Sequence, residues 1–267
     1  MAIEPIRVYA IGDIHGDFKP VRNFYEKIRV KLAETTEVVL VCLGDFGANY
    51  FFNHRDEEFK KKLGSYNITY FVIRGNHEER PEVCAQNAPE EWTQETYFGN
   101  LVWVEKKYPY IKYALDHPTA YLINKRLTFV IPGAYSVDKY HRLNCGMSWF
   151  EGEQLTDYER MKGRFLAENI EKCDIVLSHT CPICYEPTDL FLSVVDQATV
   201  DKTMERYLGE IETKLDYKLW CFGHFHALRV YPKWEHHQLV MLFNQDVLDI
   251  DCYFRTNDIY QSIIKII

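Results

Sequence analysis

Residues 7–16 read RVYAIGDIHG, so a five-residue, mainly apolar run passes directly into a turn that carries two glycines, Asp13 and His15. The same pattern of an apolar run followed by a polar, glycine-containing or histidine-containing turn recurs along the chain. The other runs are VVLVCL at 38–43, ITYFVI at 68–73, DIVL at 174–177 and LWCF at 219–222. Near-continuous apolar runs of this length, rich in Val, Ile and aromatic residues, indicate strands that are buried on both faces.

Segments with helical periodicity lie between these runs. In residues 18–33, apolar side chains recur at a spacing close to 3.6 residues, which is typical of an amphipathic helix. Further helices are predicted at residues 55–63, 79–86, 154–170 and 199–214. Strands and helices that alternate at short intervals favour parallel strands joined by helical crossovers, and the sequence therefore predicts an α/β fold.

Two parts of the chain depart from this alternation. Apolar and polar residues alternate more, and hairpin-like turns are more frequent, in residues 97–135 and in the C-terminal part from residue 229 onward. This pattern predicts antiparallel strands in a second sheet or at sheet edges. The sequence has no internal repeat, no low-complexity segment and no Gly/Ser-rich linker. We therefore expect residues 1–267 to form a single domain.

Composition limits the classes of function. The net charge of −8 gives no general attraction for polyanions, so nucleic-acid binding is disfavoured. Eight scattered cysteines and the lack of an N-terminal apolar signal favour a cytoplasmic protein with free thiols, and no apolar run is long enough for a membrane span. Cys181 and Cys184 have thioredoxin-like spacing, but the surrounding sequence is not of that type and does not indicate a redox role.

Side chains of the types that bind metals follow each of the five apolar runs. They are Asp13, His15, Asp45, Asn76, His179, His224 and His226. Because ligands bind beyond the carboxyl ends of strands in open α/β sheets, these turns can converge on one place. Asp13 and His15 are two residues apart, as are His224 and His226, so both members of each pair can face one metal in extended chain.

The number and type of these side chains predict two metal ions rather than one. A single zinc site needs three or four ligands, whereas seven suit two cations that share a bridging carboxylate. The mixture of imidazole and carboxylate suits Mn, Fe, Co, Ni or Zn better than Ca.

The motifs GDIHG, GDFG, RGNHE, SHT and GHFH follow one another in this order between residues 12 and 226. Together they resemble the signature set of the calcineurin-like metallophosphoesterase superfamily. The resemblance implies a four-layer αββα sandwich of two mixed β-sheets flanked by helices, and two divalent or trivalent transition metal ions, with Mn expected first. It assigns Asp13, His15 and His226 to the first metal, Asn76, His179 and His224 to the second, and Asp45 to a bridge between them.

The resemblance also implies the reaction, hydrolysis of a phosphate mono- or diester carried by a small molecule or a phosphopeptide. Two cations ~3.5–4 Å apart lower the pKa of a shared water, and the resulting bridging hydroxide attacks phosphorus in line with the leaving alkoxide. His77, next to Asn76, is expected to act on the phosphoryl oxygens or the leaving group as an electrostatic stabiliser or general acid.

One departure from the related protein phosphatases concerns the residue that grips phosphate. Their GDxxDRG stretch carries an arginine, whereas here Ala48 and Asn49 stand where Asp and Arg would be. Asn cannot replace the charge or the bidentate fork of Arg. We expect Lys139 or Arg142, in a loop that follows an apolar strand, to contact the substrate phosphate instead.

Two alternatives to a phosphatase or phosphodiesterase stay open. Some superfamily members with a GNH motif are nucleases, although the acidic charge and the lack of a clear basic tract speak against this reading. Others have lost ligands and serve as non-catalytic scaffolds, which the intact ligand set and His77 make the weaker alternative. The sequence does not indicate an oligomeric state.

Overall fold

A computed structural model of the chain describes residues 6–33 and 36–266. The strands are β1 Ile6–Ile11, β2 Glu37–Leu43, β3 Thr69–Ile73, β4 Trp92–Tyr97, β5 Asn100–Glu105, β6 Ile111–Ala114, β7 Thr119–Ile123, β8 Arg126–Ile131, β9 Ile175–Ser178, β10 Leu219–Phe222, β11 Arg229–Val230, β12 Gln238–Met241, β13 Asp246–Asp249 and β14 Ile263–Lys265. The α-helices are α1 Phe18–Arg29, α2 His54–Leu63, α3 Pro81–Asn87, α4 Lys139–Asn144, α5 Asp157–Ile170, α6 Thr203–Glu212, α7 Ile250–Thr256 and α8 Ile259–Ser262.

The strands form two mixed sheets. The first has the order β14-β13-β1-β2-β3-β6-β5-β4, and the second has the order β11-β12-β10-β9-β8-β7. In the first sheet β1, β2, β3 and β6 run parallel, and in the second β8, β9, β10 and β12 run parallel. Antiparallel strands complete both edges of each sheet.

Side-chain alternation along the central strands produces four layers. Val39 and Val41 of β2 point into the core between the two sheets, whereas Leu40 and Cys42 face the layer that contains α1, α2 and α3. On the other side of the sandwich, Trp220 of β10 packs towards α5 and α6. Each sheet is therefore covered on both faces, which explains the continuous apolar runs.

The predicted four-layer αββα sandwich is confirmed, and all five apolar runs are strands. The antiparallel prediction for residues 97–135 holds for β5 and β7, whereas β6 and β8 each have one antiparallel neighbour and one parallel neighbour, β3 and β9 respectively. In the C-terminal part, β12 pairs antiparallel with β11 as predicted but also pairs in parallel with β10. Strand direction depends on the partner chosen in space, which local alternation does not specify.

Two helices begin later in the chain than predicted, and near the start of each a side chain accepts a backbone N–H. The helix predicted from residue 154 begins at Asp157, because the Thr156 side chain accepts the Glu159 N–H in a capping box. The helix predicted from residue 199 begins at Thr203, whose N–H donates to Asp201 Oδ1. None of the helices in the described ranges has the length and apolar character that a bilayer span requires.

The loop predicted around residues 139–142 was also wrong, since this segment is the short helix α4. No residue of α4 is buried, so the helix has no apolar face that periodicity could reveal. An Arg142–Asp138 ion pair, with Nε to Oδ2 at 2.8 Å, joins residues four apart along it.

Candidate metal centre

The seven candidate ligands stand at strand ends in both sheets. Those of the first sheet follow β1, β2 and β3, and those of the second follow β9 and β10. The turns meet at the carboxyl ends of these parallel strands, the edge at which α/β sheets bind ligands. Asp13, Asp45 and His179 bring ligand atoms within 4.8 Å of one another, and so do Asp13, His15 and His226.

The first group is arranged around a pair of imidazole nitrogens. His15 Nε2 lies 2.9 Å from His226 Nε2, and His226 Nε2 lies 4.0 Å from Asp13 Oδ1. The two ring nitrogens and an Asp13 carboxylate oxygen all lie within 4.8 Å of one another, so one cation could contact all three. The spacing of the two rings therefore suits two ligands of one metal.

The second group places two acceptors face to face. His179 Nδ1 donates to the Leu43 carbonyl at 2.7 Å, which leaves Nε2 of the neutral ring as an acceptor. The Asn76 amide donates to Ser136 Oγ at 2.9 Å, and its Oδ1 lies 2.8 Å from His179 Nε2. Burial lowers the pKa of His179, so a second ring proton does not relieve this contact. The lone pairs of His179 Nε2 and Asn76 Oδ1 face each other at this distance, which fits a cation that both atoms bind. The second ring nitrogen of a metal-ligating His typically donates its N–H to a group such as a backbone carbonyl, as His179 does to Leu43.

Asp45 lies between the two groups. Its Oδ1 is 3.6 Å from His179 Nε2, and its Oδ2 is 3.9 Å from His15 Nε2. Burial alone would raise the pKa of Asp45, but the neighbouring His179, His77 and His15 rings lower it below its ordinary value. The carboxylate is thus charged and reaches both sides of the centre.

Asp13 shows the opposite shift. Burial, together with the nearby charge of Asp45, raises the pKa of Asp13 well above its ordinary value. Its two oxygens accept the His224 N–H at 2.9 and 3.0 Å. Two buried carboxylates in one centre repel each other unless cations lie between them, which again fits a metal site.

His224 lies beside these groups rather than within either tight cluster. Its ring centroid is 4.9 Å from that of His179, and it lines the same cavity as Asp45 and Asn76. Burial lowers the pKa of His224 well below its ordinary value and the pKa of His226 to about 4. Both rings are therefore neutral near pH 7, which is the form that binds metals.

The backbone at the centre is strained. Five of the seven candidate ligands have left-handed backbone conformations, with φ between 44° and 70°, namely Asp13, His15, Asp45, His224 and His226. Non-glycine residues rarely adopt this region, and such strain concentrates at functional sites. The fold holds these side chains in place at a conformational cost.

Glycine is required at two positions where other groups approach closely. A Cβ at Gly44 would lie 2.0 Å from His179 Nδ1, and a Cβ at Gly75 would lie 2.1 Å from Asp45 Oδ1. Gly44 also has a φ of +87°. The glycines of the GDFG and RGNHE motifs therefore make room for the candidate ligands themselves.

His77 and Arg142 meet at the rim of the centre. Arg142 Nη2 lies 3.3 Å from His77 Nε2, which in turn lies 3.8 Å from Asp45 Oδ2. Asp138 and the Tyr50 hydroxyl fix the guanidinium, the latter at 2.7 Å from Nη1. His77, Arg142 and Tyr50 line a cavity of about 170 Å³ together with His15 and Asp45.

The other candidate cation lies elsewhere. The Lys139 ammonium stands over the Trp149 ring at 4.0 Å, and Lys139 is absent from the described residues that line the cavities at the centre. Asn49, at the place of the arginine in related phosphatases, is buried. Arg142 thus supplies a guanidinium next to His77 from a different element of the fold.

Sequence reasoning missed two residues that shape the centre, Tyr50 and Ser136. Tyr50 and Ser136 orient Arg142 and Asn76, and Glu78 accepts the Gly47 N–H within the second turn. Burial raises the pKa of Glu78 to about 8. Glu78 stood next to a predicted site residue, but Tyr50 and Ser136 carry no sequence signal of their contacts with distant residues.

Two further groups lie away from the centre. Asp216, His236 and His237 also bring ligand atoms close together, but at the surface, where the Lys172 ammonium lies 3.6 Å from the Asp216 carboxylate.

Cys181 is buried, and burial raises the pKa of its thiol well above the ordinary value. A thiol in this state is not an activated nucleophile.

The comparison with protein families decides the class. The family described as calcineurin-like phosphoesterase matches residues 6–228, which is most of the chain. The chain belongs to this family. It is therefore a metal-dependent phosphoesterase, as the motifs predicted, and its substrate is a phosphate ester.

Three solved structures similar to this phosphoesterase come from different organisms. TT1561 of Thermus thermophilus is 14% identical, covers 98% of this chain and 99% of its own, and has a TM-score of 0.52, which supports the same fold. A dimetal phosphatase from Danio rerio is 7% identical over 92% of this chain and 95% of its own, with a TM-score of 0.47. The phosphopantetheinyl hydrolase from Mycobacterium tuberculosis is 13% identical over 98% of this chain and 95% of its own, with a TM-score of 0.43. No curated protein matches the chain.

Proposed function

We propose that this phosphoesterase hydrolyses small-molecule phosphate mono- or diesters through a dinuclear metal centre. Two pairs of ligand atoms on either side of Asp45 carry the proposal, namely His15 Nε2 with His226 Nε2 at 2.9 Å and His179 Nε2 with Asn76 Oδ1 at 2.8 Å. We assign one cation to Asp13, His15 and His226, a second to Asn76, His179 and His224, and the bridge to Asp45. Paired cations of this kind generate a nucleophile from water and neutralise phosphoryl charge.

The donor set guides the choice of metal. Neutral imidazoles, carboxylates and one amide oxygen suit Mn, Fe, Co, Ni or Zn, and we propose Mn²⁺ as the first metal to test. The sites are held by the fold itself, since Leu43 and Ser136 fix the orientation of His179 and Asn76.

Arg142 and His77 are proposed to act on the phosphoryl group. The guanidinium offers a charged fork to phosphate oxygens, and its contacts with Asp138 and Tyr50 keep it in place. Because Arg142 can only donate, His77 Nε2 is the acceptor in their contact, and burial lowers the pKa of His77 so that the ring is neutral. With Nε2 used as this acceptor, we assign the neutral His77 ring to positioning the Arg142 guanidinium against the phosphoryl oxygens.

The test compares the wild type with Asp45→Asn. We expect hydrolysis of an aryl phosphate in the presence of Mn²⁺, a loss of roughly 100-fold or more in Asp45→Asn, and less metal per chain. Asp216→Asn, a carboxylate change away from the centre, is the matched control and should keep activity. Wild-type levels of metal and turnover in Asp45→Asn would refute the assigned bridge.

The same preparations test the alternatives. Incubation with single- and double-stranded nucleic acid tests the nuclease reading. A wild-type protein that holds no metal and turns over no ester with any of the candidate metals would favour a scaffold. The location in a reducing cytoplasm stays a prediction that rests on the cysteines. The single-domain organisation stays a prediction that rests on the lack of repeats and linkers in the sequence.

A further inference from the structure

A second cavity, of about 320 Å³, opens beside the metal centre. One side of it is formed by Asp45, His77 and His224, among other residues of the centre. The opposite side is formed by residues 186–202, which we call the wall segment. A group that occupies this cavity therefore lies directly next to a phosphate bound at the metals.

The surface of the cavity is mainly apolar. Its apolar side chains include Leu190, Phe191, Leu192, Val195, Val200 and Phe225. The rings of Phe191 and Phe225 are nearly parallel, at 22°, with centroids 6.3 Å apart. Phe225 stands between His224 and His226 in the chain, so the apolar surface begins one residue from two candidate ligands.

The wall segment leaves apolar surface open to solvent at this place. Leu190 is 41% exposed and Leu192 is 60% exposed. Exposed apolar groups that gather beside a catalytic centre mark a place where a ligand buries them.

Ion pairs join the two ends of the wall segment to each other and one of its residues to β11. Glu186 pairs with Lys202 at 2.7 Å, which joins the two ends of the segment. Asp189 receives two hydrogen bonds from the Arg229 guanidinium, at 2.8 and 2.5 Å. These contacts involve residues at both ends of the segment, and the apolar side chains that line the cavity lie between them in the chain.

The lining of the cavity offers an anionic group no unpaired cationic side chain among the residues that the structure describes. Its lining contains the carboxyl groups of Asp138, Glu186, Asp201 and Glu205. Among the described residues that line it, Lys202 is the only Lys or Arg, and it is paired with Glu186. A negatively charged leaving group would therefore be desolvated here without a side-chain cation to pair with, whereas an uncharged one needs none.

We infer that the preferred substrates are phosphate esters of an alcohol with an uncharged apolar or aromatic group about one ring in size. This inference rests on the proposed function, since the cavity matters only if phosphate binds at the metals. Water supplies oxygen to phosphorus, the bond from phosphorus to the alcohol oxygen breaks, and the alcohol leaves with a proton. The apolar group lies against Phe191 and Phe225, and the volume is at the lower end for small-ligand sites.

The test compares 2-phenylethyl phosphate, ethyl phosphate and 2-carboxyethyl phosphate, which are all esters of primary alcohols. Burial of one ring should give the phenylethyl ester a kcat/KM about 10- to 100-fold above that of the ethyl ester. The carboxyethyl ester should be the poorest of the three. Equal kcat/KM values for the phenylethyl and ethyl esters would overturn the inference.

Variants of the wall segment locate the effect. Phe191→Ala should reduce the ratio of kcat/KM for the phenylethyl ester over the ethyl ester. Val194→Ala is the matched control, because Val194 belongs to the same segment, is 89% exposed and does not line the cavity. The ratio should stay at its wild-type value in the control, and a ratio that is unchanged in Phe191→Ala would contradict the assigned position.

A binding measurement separates this inference from the proposed function. Calorimetry on the Mn²⁺-loaded wild type compares 2-phenylethylphosphonate with ethylphosphonate, neither of which is hydrolysed. We expect the phenylethyl compound to bind about 10-fold more tightly or better. If no ester is hydrolysed, the proposed reaction is refuted, but the ratio of the two phosphonate affinities still tests the inference about the cavity. Equal affinities for the two phosphonates would refute the inference and leave the proposed reaction standing.

Discussion

His179 shows how one buried side chain is prepared for its role. The ring is fully buried, it donates Nδ1–H to Leu43, and it directs Nε2 at the Asn76 oxygen, while Ser136 Oγ accepts a hydrogen bond from the Asn76 amide N–H. An orientation fixed from both sides leaves little to rearrange when a cation binds. The same packing leaves little tolerance for added atoms nearby.

Gly44→Ala tests this tolerance. The new Cβ would lie 2.0 Å from His179 Nδ1, so the ring cannot keep its position between Leu43 and Asn76. We expect metal per chain to fall from about two ions towards one, measured by elemental analysis, together with a loss of phosphatase activity.

The control is Gly146→Ala, which has a positive φ of 64° but no atom within 4 Å of the added Cβ. It carries a similar backbone strain without the collision. Full metal content in both variants would show that the contact with His179 does not matter.

The sequence could not decide whether Arg142 or Lys139 contacts the substrate phosphate. Substitutions at the two residues separate these possibilities. Arg142→Lys keeps the charge but loses the fork that faces His77, so we expect kcat/KM to fall roughly 10- to 100-fold with unchanged metal content. Lys139→Ala should leave kcat/KM near the wild-type value, because its ammonium lies over Trp149. The reverse order of effects in steady-state kinetics would assign the phosphate contact to Lys139.

Helix α5 offers a test of local structure apart from the centre. Thr156 accepts the Glu159 N–H, and the Glu159 carboxylate accepts the Thr156 N–H at 2.7 Å. Thr156→Ala removes the side-chain acceptor, so the free energy of unfolding should fall by about 1 kcal/mol in urea titrations. Thr156→Ser keeps the hydroxyl and should stay close to the wild type, and an equal loss in both variants would argue against the cap.

Strands and helices differ in how far the sequence reveals them. The five central strands were predictable because both faces are buried and nearly every residue is apolar, as in β2 and β10. Helix α4 was not, since it buries no residue and so has no period. The direction of β12 depends on its pairing with β10, a contact between residues far apart in the chain.

The centre itself was predictable in composition but not in detail. Residue types at strand ends predicted which side chains meet, because parallel strands bring their carboxyl ends to one edge. The sequence could not indicate that Tyr50 and Ser136 orient Arg142 and Asn76, since these contacts join residues 92 and 60 positions apart. The apolar cavity depends on the wall segment, which has no strong periodicity of its own.

Buried ions connect elements of both sheets next to the centre. Arg74, which follows β3, donates Nε to Asp116 Oδ1 at 2.5 Å, and Asp116 lies between β6 and β7, at the passage from one sheet to the other. Arg80 contacts Asp116 at 3.0 Å and Glu159 of α5 at 2.8 Å. Paired in this way, the charges link the sheets and α5, whereas loss of one partner would leave a costly buried charge.

Glu205 makes the stability of the fold depend on pH. It accepts a hydrogen bond from Thr180 Oγ1 at 2.8 Å, and burial raises its pKa from 4.5 to about 7. Between these values the folded chain holds a proton that the unfolded chain has released. The resulting stabilisation is complete below the unfolded pKa and is lost as pH rises through the folded pKa, with a total of about 3 kcal/mol.

Glu205→Gln removes this proton while it keeps an oxygen for Thr180. We expect the free energy of unfolding to fall less steeply between about pH 5 and pH 8 in the variant than in the wild type, as measured by urea titration at each pH. Glu26→Gln, a change at an exposed glutamate of α1, is the control and should follow the wild-type curve. If Glu205→Gln runs parallel to the wild type as well, then Glu205 is not the group that couples proton release to unfolding, and the buried carboxyl is charged in the folded protein at neutral pH.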